Sequence, residues 1–310
     1  MKVMVIGATG AIGPRIVSQL AERGHEVVGT SRTQGRAEAL RELGAEPAAL
    51  DVLDREAVGR LVLEIRPDAI VHQATALGGG IDWKRFAQSF AQTNRLRTAG
   101  TDNLLAAAKE AGVERFVAQS YAGWPYARVG GPVKREEDPL DERPPEPVRE
   151  TLAAIKHLEA AVVGAGGIAL RYGSFYGAPD DPMLDAVRAR KVPIVGDGGA
   201  VWSFVHLEDA ASATVLALER GEPGVYNVVD DEPAPVRELL PALAAAVGAR
   251  PPRKAPAWLA RLFAGEVGVV TMTELRGASN AKAKRELGWT LRYPSWKQGF
   301  PASYDMARAA

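Results

Sequence analysis

The stretch MKVMVIGATGAIG, residues 1–13, decides the fold. Val3–Ile6 form an uninterrupted apolar run, which predicts a buried strand that leads directly into Gly7. Ile16, Val17 and Leu20 then recur at the spacing of one helix face. The stretch and the residues after it therefore predict a strand, a glycine-rich turn and a helix.

The glycines of this turn follow the pattern G-x-x-G-x-x-G. Gly7 would allow the tight turn, Gly10 would let a pyrophosphate approach the backbone, and Gly13 would let the helix pack closely on the strand. The start of the helix also offers free backbone N–H groups and the positive end of its dipole to a phosphate. In this strand-and-helix context the turn predicts dinucleotide binding.

The charge balance excludes some classes of partner. Among the 310 residues, Lys+Arg and Asp+Glu are both 38, so the net charge is zero and no basic field attracts nucleic acid or an anionic membrane. Hydrophobic residues make up 46%, which is ample for a packed core. We therefore expect a globular protein that acts on a small molecule, with neither a nucleic-acid nor a membrane partner.

The chain has no cysteine, which removes disulfides, thiolate nucleophiles and cysteine-based metal sites together. Its histidines, at positions 25, 72, 157 and 206, lie too far apart for metal-ligand spacing, so no metal is expected. The first residues read as a strand rather than a signal peptide, and no apolar run approaches the length of a membrane span. These features suit a cytoplasmic location.

Strand and helix patterns alternate through the first half of the chain, which indicates repeated βαβ units and a parallel sheet covered on both faces. The segment Trp124–Pro147 is rich in proline and acidic residues and is expected to be a long surface loop. Strands are predicted at Glu26–Thr30, Glu46–Leu50, Ala69–His72, Arg115–Ala118 and Ile168–Arg171, and helices at Arg36–Leu43, Arg55–Ile65, Trp83–Ala111 and Thr151–Val163.

These segments predict an α/β fold, a Rossmann-like doubly wound parallel sheet with a smaller C-terminal substrate-binding lobe. The dinucleotide-binding domain is expected over residues 1–176, with some later segments returning to it. Residues 177–310 would form mainly the lobe, laid over the carboxyl edge of the sheet, where open α/β sheets bind their ligands.

Further motifs follow in order along nearly the whole chain. They are Asp51-Val52, Val71-His72-Gln73-Ala74, Asn94 with Gly100–Leu105, Leu170-Arg171-Tyr172 with Tyr176-Gly177, Phe204-Val205-His206 with Asp209, and Glu286–Trp289. Together with the glycine turn, they resemble the extended short-chain dehydrogenase/reductase superfamily, in its NAD-dependent epimerase/dehydratase branch. Asn94 and Gly100–Leu105 look like the N-x-x-G-T-x-N-L-L helix of that family.

The resemblance implies a nicotinamide cofactor held along the carboxyl edge of the sheet. The expected contacts are Gly7, Thr9, Gly10, Ile12, Gly13, Ser31, Arg32, Arg36, Asp51, Val52, Gln73, Ala74, Thr75, Asn94, Lys156 and Tyr172.

The residues after the second strand bear on the choice of dinucleotide. NAD-preferring members of such folds place an acid there, whereas this chain has Ser31-Arg32 with Arg36 close behind. An arginine suits a 2′-phosphate by its charge and its bidentate geometry. We therefore expect NADP(H) to be preferred, with NAD(H) possible; alternatively, Arg32 simply faces solvent.

The resemblance implies a Ser or Thr that polarises a carbonyl, a Tyr that carries the proton, and a Lys four residues after the Tyr that grips the ribose. Ser120 and Lys156 are placed in two of these roles, but Leu152 stands where the Tyr would be. Leucine cannot donate a proton, so an active enzyme needs a substitute. Tyr121 is the candidate, because sugar-nucleotide dehydratases of this superfamily place an acid directly after the catalytic Ser/Thr.

Trp124, Tyr126, Ser174 and Trp202 are expected to line the substrate pocket, and the alternative for Trp124 and Tyr126 is packing beneath the proline-rich loop. An Arg that grips a diphosphate in sugar-nucleotide enzymes is absent before Phe204, and Trp202 lies in that region. The pocket should therefore be apolar.

These features favour an NADP(H)-dependent oxidoreductase of the atypical extended type that acts on a small organic carbonyl or alcohol. One alternative is a sugar-nucleotide epimerase or dehydratase. The other is a non-catalytic NADP(H)-binding sensor or scaffold, since Leu152 replaces the tyrosine. The resemblance also makes a homodimer possible.

Overall fold

The computed structural model describes residues 1–33, 36–78 and 80–304. The helices and strands alternate in the first half, as the periodicity predicts. The strands are β1 (Lys2–Ile6), β2 (Glu26–Ser31), β3 (Ala45–Ala49), β4 (Ala69–His72), β5 (Arg115–Tyr121), β6 (Val133–Lys134), β7 (Ile168–Tyr172), β8 (Ser174–Tyr176), β9 (Ile194–Val195), β10 (Val201–Trp202), β11 (Phe204–His206), β12 (Gly224–Val228), β13 (Ala234–Pro235), β14 (Lys254–Ala255) and β15 (Gly277–Ala278).

Two short 3-10 turns, Trp83–Arg85 and Glu146–Val148, and a π-helical turn, Leu96–Gly100, accompany the α-helices. The α-helices are α1 (Gly13–Glu22), α2 (Ala37–Glu42), α3 (Arg55–Ile65), α4 (Phe86–Arg95), α5 (Thr101–Ala111), α6 (Arg149–Gly164), α7 (Pro182–Arg188), α8 (Leu207–Arg220), α9 (Val236–Ala246), α10 (Ala257–Thr273), α11 (Ala281–Leu287) and α12 (Trp296–Tyr304).

The central sheet has seven parallel strands in the order β12-β7-β5-β4-β1-β2-β3. Alternate residues of β1 serve the two faces: Val3 and Val5 belong to one apolar cluster, and Met4 and Ile6 to another. The sheet is therefore buried on both sides, which confirms the predicted doubly wound fold. The strand order reverses between β1 and β4, the place where such sheets bind ligands.

Two local differences from the predicted elements matter for the site. Strand β5 continues to Tyr121, past its predicted end at Ala118, so Ser120 lies within a strand rather than in the following loop. The long helix predicted over Trp83–Ala111 is divided into α4 and α5 by the π-helical turn Leu96–Gly100. Such turns insert one residue into the helical hydrogen-bond ladder and occur often at functional sites.

The chain beyond Tyr176 builds short strand pairs and helices around a core that includes Leu239, Trp296 and Phe300. One of its segments, β12, returns to the edge of the central sheet beside β7. The predicted surface loop contains β6, which pairs with β15. The loop thus connects the sheet to the later part of the chain.

In the described residues, no helix combines the length and apolar character that a membrane crossing requires.

Candidate functional site

The glycine turn is closely packed at its three predicted positions. Gly7 has a φ of +82°, and a Cβ there would lie 3.0 Å from the backbone N of Ala74. A Cβ on Gly13 would lie 2.5 Å from the carbonyl of Ala8. Both glycines are therefore required by the backbone, one for its dihedral angle and one for the approach of α1 to the turn.

Helix α1 begins at this turn without a side-chain cap. Ile12 precedes it, its first turn contains Pro14, and no acidic residue lies there. The first backbone N–H groups are thus free of a carboxylate competitor, and the dipole leaves them favourable to an anion. The residues present therefore fit the pyrophosphate of a dinucleotide.

The end of β2 lies next to the glycine turn. Arg36 Nη1 donates to the carbonyl of Thr9 over 3.2 Å, and Ser31 Oγ donates to the carbonyl of Thr33 over 2.9 Å. The Arg32 and Arg36 side chains are both exposed. The structure thus places Arg36 against the glycine turn, whereas Arg32 is exposed directly after the end of β2.

The other expected cofactor residues follow β3, β4 and β7. Asp51 is exposed and accepts the backbone N–H of Leu53 on Oδ1, whereas Val52 is buried. Gln73 Nε2 donates to Tyr172 Oη over 3.2 Å, and Tyr172 is almost fully buried. Tyr172 therefore orients Gln73 from within the core instead of facing the crevice at the strand ends. Ala74 and Thr75 are half-buried.

Ser120 and Tyr121 point to opposite faces of β5, because successive strand residues alternate. Ser120 is buried, and its Oγ donates to Glu159 Oε1 over 2.6 Å. The same carboxylate receives two bonds from Arg171, from Nε at 2.7 Å and from Nη2 at 2.6 Å. In the structure the hydroxyl proton of Ser120 is thus directed to a buried ion pair between α6 and β7.

Tyr121 is half-buried and faces the carboxyl side of the sheet. Its Oη lies 3.3 Å from Ser174 Oγ, and its ring centroid lies 5.4 Å from that of Trp124. Burial raises the pKa of Tyr121, and this effect exceeds the opposing influence of the Ser174 hydrogen bond and the Arg97 charge. Tyr121 thus carries its proton at neutral pH, as a proton donor must.

Lys156, the expected ribose-binding residue, lies on the exposed side of α6. Its side chain is exposed, and Nζ donates to the carbonyl of Asp141 over 3.3 Å. The face of α6 that turns inward contains Thr151, Ile155 and Glu159. Lys156 follows Ile155 by one residue, so it points about 100° away from that face.

Leu152, by contrast, is buried, in an apolar cluster with Phe86 and Val148. Thr151, one residue earlier, is fully buried, and its Oγ1 accepts a hydrogen bond from Asn94 Nδ2 over 3.2 Å. The hydroxyl of Thr151 therefore contacts Asn94, one of the expected cofactor residues.

Arg97 is a buried residue that the sequence reasoning overlooked. It lies in the π-helical turn and is 4% exposed, and its Nε and Nη1 have no hydrogen-bond partner. Burial lowers its pKa to about 10, against the opposing charge of Glu159 and, where Tyr121 is ionised, of its phenolate. The signal was present in the motif: counted back from Gly100-Thr101, the first position of N-x-x-G-T falls on Arg97, and Asn94 comes three residues too early.

Three further buried polar atoms near Arg97 lack a protein partner, namely His72 Nδ1, Gln73 Oε1 and Asn94 Oδ1. Burial lowers the pKa of His72 to about 4, so its ring is neutral at pH 7. Buried polar groups are nearly always hydrogen-bonded. A polar ligand could therefore provide the missing hydrogen-bond partners for these atoms at the end of β4 and in α4.

The expected substrate residues divide into two groups. Trp124 packs edge-on against Phe86 and Phe90, at centroid distances of 6.0 and 6.1 Å, and forms an apolar wall beside Tyr121. Ser174 completes that group through its contact with Tyr121.

Trp202 and Tyr126 belong to the second group. The half-buried ring of Trp202 donates from Nε1 to the carbonyl of Thr271 over 2.7 Å. Tyr126 is 1% exposed, and its Oη donates to Asn227 Oδ1 and accepts from Arg171 Nη1. The expected lining role of Tyr126 is therefore corrected in favour of the packing alternative, because its ring and hydroxyl are both enclosed.

Comparison with known proteins places this site in a family. The family model described as the NAD dependent epimerase/dehydratase family matches residues 3–228. A 3-diazoavenalumate denitrifying reductase of a Streptomyces species is 43% identical, over 96% of this chain and 99% of that protein. A 2-alkyl-3-oxoalkanoate reductase of Stenotrophomonas maltophilia is 30% identical, over 98% of this chain and 93% of that protein.

A solved structure agrees with these matches. The UDP-glucose 4-epimerase of Thermus thermophilus in complex with NAD superposes with a TM-score of 0.74 at 29% identity, over 100% of both chains. The chain therefore belongs to the NAD-dependent epimerase/dehydratase family of the extended short-chain dehydrogenase/reductase superfamily.

Proposed function

We propose that this protein is an NADP(H)-dependent oxidoreductase that acts on a small organic carbonyl or alcohol, with Tyr121 as the proton donor. The observation that carries the proposal is the position of Tyr121 at the end of β5, protonated, beside Ser174 and an apolar wall. The family's usual chemistry needs a hydroxyl at this edge of the sheet, and Ser120 is committed to Glu159.

The reaction class rests on the relatives. The chain is an NAD(P)-dependent oxidoreductase, since a relative of 43% identity over nearly the whole chain, and another of 30%, are named reductases. These names also disfavour a non-catalytic sensor or scaffold.

The preference for the phosphorylated dinucleotide rests on Arg32 and Arg36. Both side chains are exposed beside the glycine turn, where a 2′-phosphate on the adenosine ribose would lie. Guanidinium groups bind phosphates through charge-assisted, often bidentate hydrogen bonds. The uncapped start of α1, with its positive dipole end, would hold the pyrophosphate.

When bound, the cofactor supplies a hydride from C4 of its dihydronicotinamide to the substrate carbon and is thereby oxidised. Tyr121 Oη donates its proton to the carbonyl oxygen, which becomes the alcohol hydroxyl. Ser174 Oγ lies within hydrogen-bond distance of Tyr121 Oη and can relay a proton from water to the Tyr121 phenolate. The rings of Trp124, Phe86 and Phe90 exclude water from the apolar part of the substrate.

The test is the variant Tyr121→Phe, which keeps the ring and removes the proton. We expect kcat for NADPH-dependent reduction of a carbonyl substrate, found by screening aryl ketones and 3-oxo acids, to fall by about 10²–10⁴. The dissociation constant of NADPH should stay unchanged. The control is Tyr226→Phe, whose hydroxyl donates to the carbonyl of Glu222 in the edge region of the sheet. Equal kcat values for wild type and Tyr121→Phe would refute the assignment.

A second candidate, a sugar-nucleotide epimerase, is favoured by the likeness to the Thermus thermophilus enzyme over both full chains. It predicts tight binding of UDP-glucose to the dinucleotide-loaded protein. Calorimetric titration with UDP-glucose distinguishes the two, because the apolar wall of Trp124, Phe86 and Phe90 gives no charge for a diphosphate. We expect no binding.

A further inference from the structure

Arg97 is a cation without a counter-ion in the part of the chain that the structure describes. The acidic group that influences its pKa is Glu159, whose two oxygens are already bound by Ser120 and Arg171. Nε and Nη1 of Arg97 are buried and donate to nothing. An unpaired buried charge is costly, and proteins normally pair it. The arrangement therefore leaves a place for an anion that the protein does not itself provide.

The place lies between two strand ends. The carbonyl of Leu96, the residue before Arg97, is 3.4 Å from His72 Nε2 at the end of β4. Tyr121, which would influence the pKa of Arg97 only when ionised, ends β5, the next strand in the sheet. Arg97 is thus placed near the ends of β4 and β5, close enough to the proposed proton donor Tyr121 for the two groups to influence each other.

We infer that Arg97 binds a carboxylate group of the substrate, so that the protein acts on small organic acids with an apolar body. This inference rests on the proposed function only for the position of the substrate beside Tyr121. The guanidinium offers open donors to the carboxylate, and Trp124, Phe86 and Phe90 receive the apolar part.

A permanent anion fits the site better than a transient one. Arg97 is positively charged at neutral pH, because its pKa lies about 10 even after burial has lowered it. An oxyanion that forms only during hydride transfer would leave this charge unpaired in every other state. A carboxylate pairs it from the moment the substrate binds. The neutral His72 and the protonated Tyr121 add no negative charge that would oppose a carboxylate.

The experiment compares a carboxylate with its neutral amide on the full-length protein saturated with NADP⁺. Calorimetry measures the binding of a short series of sodium alkanoates and 3-phenylpropanoate, with 3-phenylpropanamide as the uncharged match. We expect at least one carboxylate to bind, and the amide of 3-phenylpropanoate to bind at least tenfold more weakly than the acid. Charge-assisted hydrogen bonds of ~1.5–3 kcal/mol correspond to about 10- to 150-fold in affinity.

The decisive variant is Arg97→Met, which keeps much of the side-chain volume and removes the charge. We expect it to weaken carboxylate binding by about 10- to 100-fold and to leave amide binding unchanged. Arg97→Lys should restore part of the carboxylate affinity, and it keeps a cation if the Met variant does not fold. The matched control is Arg95→Met, an exposed arginine of the same helical segment, which should bind carboxylates like wild type.

Several results overturn the inference. They are the absence of carboxylate binding to wild type, equal affinity for acid and amide, and unchanged carboxylate affinity in both Arg97 variants. Loss of NADP⁺ binding in Arg97→Met without loss of acid-over-amide preference would also overturn it and make Arg97 a cofactor residue. Arg97-dependent carboxylate binding without any NADPH-dependent turnover would uphold the inference and refute the proposed function.

Discussion

At the scale of the residue, a shift of one position along a strand or helix decides which side chains face the crevice at the carboxyl ends of the strands. Ser120 and Tyr121 are neighbours, yet one is locked against Glu159 and the other lies beside Trp124. Lys156 likewise misses the inward face of α6 by one position. Motif spacing in the sequence identified the correct segments, but the orientation of each residue depends on strand length and helix register, which the pattern alone did not determine.

Arg32 provides a residue-scale prediction about the cofactor. We expect Arg32→Ala to raise the dissociation constant of NADPH by about tenfold, the lower end for a charge-assisted hydrogen bond, because Arg32 is solvent-exposed. The dissociation constant of NADH should change little, since NADH has no 2′-phosphate. Fluorescence titration of both dinucleotides measures the two constants.

Arg60→Ala, at an exposed arginine of α3 that pairs with Glu56, serves as the control for loss of general positive charge. An equal loss of affinity for NADPH and NADH in Arg32→Ala would show that Arg32 does not bind the 2′-phosphate of NADPH.

At the scale of the element, α6 is fixed to the sheet by a buried ion pair. The Arg171 and Glu159 side chains are 5% and 8% exposed, and Arg171 bonds both carboxylate oxygens. Hydrogen bonding and charge from Glu159 raise the pKa of Arg171 against the opposite effect of burial. A periodicity argument finds α6 and β7 as elements but not this pair, since it arises only from their packing.

Glu159→Gln should destabilise the protein by about 3–5 kcal/mol, because it leaves the Arg171 charge buried without its partner. The control is Glu150→Gln, at an exposed acid in the first turn of the same helix, where the loss should stay below about 1 kcal/mol. Urea denaturation followed by circular dichroism gives both values. Equal losses of unfolding free energy in the two variants would mean that the ion pair of Glu159 with Arg171 does not stabilise the protein.

The π-helical turn Leu96–Gly100 is an element that no apolar periodicity indicated. The sequence predicts one continuous helix over this region, since the apolar residues keep helical spacing on both sides. The extra residue shows only in the hydrogen-bond ladder, and it accompanies the burial of Arg97. The cofactor turn, by contrast, was predictable residue by residue, because Gly7 and Gly13 are dictated by local backbone geometry.

At the scale of the whole molecule, Asp230 joins the central sheet to the C-terminal part of the chain. It follows β12, its backbone N–H donates to the carbonyl of Phe204, and its Oδ2 accepts the backbone N–H of Trp296 at the start of α12. Burial raises the pKa of Asp230 to about 7, more than its two backbone hydrogen bonds lower it. The carboxyl is thus partly protonated at neutral pH.

This shift predicts how stability depends on pH. In the unfolded chain an Asp titrates near 3.9, so between about pH 4 and 7 the folded state binds the extra proton and stability falls as pH rises. Asp230→Asn removes the titration. We expect wild type to lose on the order of 2 kcal/mol more than Asp230→Asn between pH 5 and 7 in urea unfolding. Parallel pH profiles for the two proteins would contradict the role of Asp230.

The position of β12 has a consequence for how this chain folds. The strand that pairs with Ile168–Tyr172 at the edge of the sheet is Gly224–Val228. The segment between these strands must therefore be synthesised before the free edge of β7 is covered. Until then the edge of β7 is unpaired, and its residues, all buried in the folded chain, are exposed. Unpaired strand edges of this kind promote aggregation. Parallel pairings across such sequence distances also form slowly. We therefore expect a fragment that ends at residue 176 to leave the β7 edge of the sheet uncovered and to aggregate more readily than a chain that includes Gly224–Val228.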